Sequence, residues 1–496
     1  MKKFFYLLFS FVFIAISTFS LTGCKKSEVE KVSKNLTSYA ITADLDDEKK
    51  EMVCSEKIVY KNNTGEDLEF LCFHLYPRAF REGAVFKPYT SLTEASCFPN
   101  GISFGDMSIV RVKVNGEVKK FEMSGEDEDI LKVNFGFKLT NKKTIEIVID
   151  FVLVIPNSTH RFGYYNSNIN LGNWYPIVCE YVNGKFDTTP YYATGDPFFS
   201  SISNYDVTFS YPEKYKLCST GEIKTEKNNG KNTAKINAKA VRDFAMCLSS
   251  NAKVVSGKQG DVSVTYMGEE KDAEKYLNIS KLAVAYFSKV FGGYPYSTLT
   301  VAKTPFVYGG MEYPNLVFVS DSATGEDEIL KVIVHEIAHQ WWYAVVGNNE
   351  TKEAWLDESL SEYSTALFFK EHSNYGITYD ELISNALSSY LLYVDVVQTI
   401  RGDVITKMNL AVNEYQNDYE YSYMVYVKGV IMFDSLKEVV GEKKLLAGFK
   451  KYYAENKFKN ATKQDFYDAF SAGCHKDLKG FFEGFLNGTT IISNLK

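Results

Sequence analysis

One stretch restricts this chain more than any other: VIVHEIAHQWW, Val332 to Trp342. It holds two of the six histidines in 496 residues, four apart, with a glutamate directly after the first. On an α-helix, residues i and i+4 lie almost above one another on one face. His335 and His339 would therefore aim both imidazoles at one point. Neutral imidazole suits zinc, and a zinc centre that performs chemistry keeps three protein ligands and one open position. Glu336 falls beside that point rather than at it, where a carboxylate can take a proton from metal-bound water. Two satisfied histidines on an ordinary helix are the plainer reading of five residues alone. The setting argues against it: Ile329, Leu330, Val332, Ile333 and Val334 make the preceding turns apolar, and a buried helix needs a reason to carry His-Glu and His inside.

A three-ligand site needs one more donor. EAWLDESLSEYSTALFF, Glu353 to Phe369, places Trp355, Leu356, Leu360, Tyr363 and Leu367 at helical spacing, which predicts a second amphipathic helix. Three acids compete there. At about 100° per residue Asp357 points away from the apolar stripe, while Glu358 and Glu362 flank it.

His-Glu-x-x-His, eighteen residues, then Glu resembles the signature of the gluzincin aminopeptidases, the aminopeptidase N family (peptidase family M1), and WLDESLSEY resembles that family's Trp-Leu-Asn-Glu-Gly segment. The resemblance implies His335, His339 and Glu358 as ligands of one zinc per chain and Glu336 as general base. Glu362, one turn on, is either a solvated acid or an orienting partner of a ligand histidine. YGGMEYPN, Tyr308 to Asn315, resembles the family's Gly-x-Met-Glu-Asn motif, with Tyr313 where Asn is commoner. Gly309 and Gly310 let a peptide backbone approach closely, and Glu312 can offer a carboxylate to a free α-ammonium. In YSYMVYVKGVIMF, the Tyr-x-Lys-Gly arrangement matches the family's catalytic tyrosine at Tyr426, which implies a donor for the tetrahedral oxyanion. Tyr421 matches a second family tyrosine more loosely. The family often adds an amine-binding Gln or Glu from its β domain; GYYNSNINLGNWYP offers no clear counterpart, so amine recognition falls mainly to Glu312.

The rest of the chain reads as two textures. Residues 36–250 alternate in short runs with turn residues between them, such as VRVKVNGEVKKFEM with Asn115-Gly116, a hairpin signal. This predicts an N-terminal antiparallel β-sandwich domain. Residues 251–496 turn helical and predict a mainly helical, thermolysin-like catalytic domain, α+β overall. LGNWYPI, GDPFFSSISNYDVTF and VRDFAMCLSSN resemble the family's β domain. The chain stops at FFEGFLNGTTIISNLK, which resembles the end of the catalytic domain, so the long C-terminal helical domain of larger members is expected to be missing and the cleft more open.

The first residues are different again. Lys2 and Lys3 precede an apolar stretch and then small residues, the layout of a signal peptide over 1–23. Leu21-Thr22-Gly23-Cys24 resembles the bacterial lipobox, which implies lipidation of Cys24, a polar tether over 24–35 and an extracytoplasmic protein anchored to a membrane. Seven cysteines remain after Cys24, an odd number without a C-x-x-C pair; small buried apolar positions are expected rather than a disulfide framework. A net charge of −7 argues against a nucleic-acid partner.

The expected activity is removal of N-terminal residues from peptides with a free amine. Two other readings stand beside it. A thermolysin-like endopeptidase would share the histidine helix without needing Glu312. An inactive, peptide-binding lipoprotein would have lost at least one of His335, Glu336, His339, Glu358 or Tyr426, and all five are present.

Overall fold

The structure is a computed structural model that describes residues 27–269, 271–323 and 325–493. Its first half is a β domain of three principal sheets. The largest has eight strands, with Ser38–Asp46, Glu51–Lys61 and Thr144–Val154 at its centre. Burial alternates residue by residue along these strands, because successive side chains point to opposite faces. One face therefore packs on the core, and the other carries exposed positions. The expectation of an antiparallel sheet needs one correction: Ser38–Asp46 runs parallel to Ser203–Pro212, a pairing that a long chain excursion permits and a hairpin does not. Asn115-Gly116 closes a tight hairpin with both residues at positive φ, as Asn-Gly turns require.

The second half opens with a five-stranded mixed sheet, Lys253 to Ser320. Its edge is the short strand Gly310–Met311, which pairs antiparallel with Leu316–Ser320 and, among the described residues, has no strand on its other side. The remainder is helical. Helices Glu326–Ala338 and Trp355–Glu371 pack against one another, and Lys428–Val440 packs on the second of them. Trp355–Glu371 is not the one-sided helix expected from sequence. Helices lie on several of its sides, and fourteen of its seventeen residues are buried.

The stretch read as a tether is partly folded onto the body. Glu28–Ser33 forms a helix whose Glu28 pairs with Lys457 at 2.6 Å, and Asn204 Nδ2 donates to the Ser33 carbonyl at 2.8 Å. Cys24 and the signal-like segment lie outside the described residues. The seven later cysteines are all buried and free. Among the described residues no helix is long and apolar enough to cross a membrane.

Candidate metal centre and active site

Helix Glu326–Ala338 begins at Gly325 with Glu326, Asp327 and Glu328 in its first turn, where acidic side chains favour the positive end of the helix dipole. Its buried face carries Ile329, Leu330, Ile333, Val334 and Ile337. That face fixes the rotation of the helix, and His335 and His339 follow. Their Nε2 atoms lie 3.0 Å apart. Glu358 Oε2 lies 3.2 Å from His335 Nε2 and 3.1 Å from His339 Nε2.

Whether these residues fit zinc can be judged from that triangle. Ligands at about 2.0–2.1 Å from a tetrahedral ion stand about 3.3 Å from one another. Edges of 3.0 to 3.2 Å between two imidazole nitrogens and a carboxylate oxygen are within a few tenths of that value, and the donor types are those zinc takes. The far side of each ring is also held. His339 Nδ1 lies 3.1 Å from the Trp342 carbonyl, which selects the tautomer that leaves Nε2 free. His335 Nδ1 lies 2.7 Å from Glu362 Oε2, in ion-pair contact though poorly aligned for a hydrogen bond. Of the two readings left open for Glu362, the histidine partner is the one seen.

Asp357 corrects an expectation. It does not point outward: it is 1% exposed and accepts from Asn348 Nδ2 at 3.3 Å. The helical-wheel argument fails because the helix is enclosed on that side too.

Glu336 leans toward the edge strand. A β-carbon on Gly310 would stand 2.2 Å from Glu336 Oε1. Gly310 thus makes room for the Glu336 carboxylate, a constraint beyond the substrate approach inferred from sequence. Gly309 is open, with only Val332 within 4 Å of such an atom, and lines the cleft. Tyr426 comes from a π-helical turn, Tyr423–Val427, in which the Lys428 N–H reaches the Tyr423 carbonyl. Such turns shift the side chains that follow them and recur at functional sites. The Tyr426 hydroxyl donates a short hydrogen bond to Glu358 Oε1, and its ring stacks near His335. Tyr421 lies edge-on to Tyr426, its buried hydroxyl without a hydrogen-bond partner.

One residue of this site was missed in the sequence. Asp196, from the β-domain loop between Phe186 and Ser203, lines the same cleft of about 460 Å³ as Glu312, Glu336 and Glu358. Arg161 holds it: the guanidinium pairs with the Asp196 carboxylate, donates to the Gly195 carbonyl at 3.3 Å and reaches Met311 Sδ at 3.1 Å. The only local hint was a lone Gly-Asp-Pro, a common turn signal.

The electrostatics follow from crowding. Burial raises the carboxyl pKa values of Glu312 and Glu336 well above the usual range, and neighbouring acids add to the rise. Burial also raises Asp196, against the opposing pull of Arg161. Burial pushes the same way at Glu358, but His339 and His335 outweigh it and hold this carboxyl low. Glu358 is thus the carboxyl held low, beside the two histidines, while Glu312, Glu336 and Asp196 are crowded and raised.

One histidine in a helix, a second at its C-cap and a glutamate from the next helix form a cluster of the gluzincin type that could hold a metal ion. Residues 276–485 match the peptidase family M1 domain. The chain is 25% identical over 417 residues to aminopeptidase N of Lactobacillus helveticus, covering 78% of this chain and 47% of that protein. It is 29% identical over 207 residues to human aminopeptidase B, 40% of this chain and 31% of that one. It is also 24% identical over 383 residues to leukotriene A-4 hydrolase of Xenopus laevis, 73% of this chain and 60% of that one. The chain thus spans less than two thirds of these relatives' length. In fold it resembles an M1 zinc metallopeptidase from Deinococcus radiodurans, with a TM-score of 0.64 at 12% identity, covering 92% of this chain and 95% of that one.

Proposed function

We propose that the chain is a zinc-dependent aminopeptidase that holds one zinc ion and releases N-terminal residues from peptides with a free amine. The observation that carries this reading is the pair Glu312 and Asp196, two buried carboxylates lining the cleft beside the ligand cluster. An endopeptidase has no need of them. A substrate α-ammonium would supply the cation that their enclosure favours.

Zinc held by His335, His339 and Glu358 would polarise the scissile carbonyl and make a water acidic enough to deprotonate near neutrality. Glu336 would take the proton of the attacking water and pass it to the leaving nitrogen as the C–N bond breaks. The Tyr426 hydroxyl turns from Glu358 to donate to the developing oxyanion. Glu312 and Asp196 fix the amine, and so the distance from the amine to the bond that is cut. Arg161 keeps Asp196 in place.

Hydrolysis of aminoacyl reporter amides tests this. Chelation should abolish it and added zinc should restore it. Glu336→Gln should retain zinc and lose activity, because it removes the base and not a ligand. Full activity in that variant would overturn the assignment.

We further propose export and lipid attachment at Cys24. The short distance in sequence from Cys24 to the docked helix at Glu28 would hold the body close to the membrane. Intact-mass measurement of the native N-terminus tests this, and an unmodified Met1 would refute it.

A further inference from the structure

The Trp-Leu-Asn-Glu-Gly resemblance departs at its third position, Asp357, and at its last, where this chain has Ser359. The serine is fully buried, and its Oγ donates to the Val425 carbonyl at 2.6 Å. Val425 lies inside the π-helical turn and immediately precedes Tyr426. Two adjacent residues of one helix therefore grip two adjacent residues of another element: Ser359 holds the Val425 carbonyl, and Glu358 accepts from the Tyr426 hydroxyl. The gap between the elements is closed on the next turn by Gly429. A β-carbon there would stand 2.3 Å from Ser359 Oγ and 2.4 Å from Ser359 Cβ. Glycine at 429 is what lets the helix Lys428–Val440 approach the serine.

We infer that Ser359 is a positioning residue for Tyr426: its hydrogen bond to the Val425 carbonyl fixes the π-helical turn, so that the Tyr426 hydroxyl can leave Glu358 and reach the oxyanion without the backbone moving. The inference rests on the proposed peptidase reading. A π-helical turn contains one more residue per turn than an α-helix, and it can relax by shifting that residue along the chain. A relaxation at Val425 would carry the Tyr426 side chain with it. A misplacement of about 1 Å in a group that acts on the transition state costs up to about a hundredfold in rate, whereas the ground-state complex depends on Glu312 and Asp196 and would not feel it. Ser359 therefore acts on kcat and leaves KM alone.

The experiment is a double-mutant cycle on aminoacyl amide hydrolysis, with zinc content and thermal melting measured on every variant. Ser359→Ala should lower kcat about five- to tenfold, with KM, bound zinc and melting temperature close to wild type. Ser359→Cys substitutes a somewhat larger group with a weaker donor and should fall between. In the Tyr426→Phe background, where kcat is already reduced, Ser359→Ala should cause no further loss. If Ser359→Ala lowers kcat by the same factor in both backgrounds, the serine acts elsewhere and the inference fails while the role of Tyr426 survives. If Ser359→Ala loses zinc or raises KM, it supports Glu358 or the cleft instead, and the inference also fails. If Tyr426→Phe itself has wild-type kcat, the peptidase reading of Tyr426 falls and takes this inference with it.

Discussion

Glu336 occupies the space that a side chain at position 310 would need: the β-carbon missing from Gly310 would stand 2.2 Å from Glu336 Oε1 and 2.4 Å from its Cδ. The Glu336 carboxylate is thus set by a glycine on the edge strand of another element, not by its own helix alone. Gly310→Ala should force the carboxylate aside and lower kcat by about a hundredfold, while zinc stays bound because no ligand is touched. Metal analysis alongside kinetics checks this. Unchanged kcat would mean that Glu336 has a second productive position.

Glu362 offers a test of how the metal is held. It contacts His335 on the ring nitrogen that faces away from the ligand cluster. Outer-shell carboxylates of this kind raise ligand basicity and fix ring orientation. Glu362→Gln should weaken zinc affinity about 10- to 100-fold, as read by competition with a chelator, without changing which substrates are cut. Wild-type affinity would return Glu362 to the role of a partly solvated surface acid.

Asp196 should matter only where there is an amine to bind. Asp196→Asn keeps the shape and removes the charge, so KM for free-amine substrates should rise about tenfold with kcat less affected. Arg161→Gln frees the Asp196 loop and should act in the same direction. A uniform loss of kcat in Asp196→Asn would place this residue in the chemistry rather than in recognition.

Stability should depend on pH through Glu56, which is far from the cleft chemistry. It is 0% exposed, and neither carboxylate oxygen has a hydrogen-bond partner among the described residues. Burial raises its pKa well above the usual carboxylate value. The folded state therefore keeps the proton while the unfolded chain loses it near the ordinary pKa. Above that point the unfolded state binds fewer protons, so this contribution to stability falls as pH rises until the folded group also ionises. Glu56→Gln should raise the melting temperature more at about pH 8 than at about pH 5. An equal effect at both would mean that Glu56 is compensated in the fold.

What was legible in the sequence was whatever periodicity and spacing control. Two histidines at i and i+4 must share a helix face, and Asn115-Gly116 must turn a hairpin, so both stand in the structure as read. Asp357 was misplaced because a helical wheel assumes one buried side, and this helix is enclosed on nearly all sides. Asp196 was invisible for a different reason: it reaches the cleft by tertiary placement of a loop, through a salt bridge to Arg161, thirty-five residues away in the chain. The parallel pairing of Ser38–Asp46 with Ser203–Pro212 joins segments about 165 residues apart, and no local pattern encodes that. Gly310 was noticed for its freedom, but its contact with Glu336 was not legible, because only the fold brings that side chain against it.

In the proposed aminopeptidase reading, Glu312 is the group that recognises a free amine. The most direct measurement compares matched peptide amides with free and N-acetylated termini, in the wild type and in Glu312→Ala. Free-amine substrates should be cut about 10- to 100-fold faster by the wild type, since a hydrogen bond to a charged group contributes about 1.5–3 kcal/mol. Glu312→Ala, with zinc still bound, should erase most of that difference. Internal cleavage of acetylated peptides at rates equal to those of free ones would contradict that reading and identify an endopeptidase.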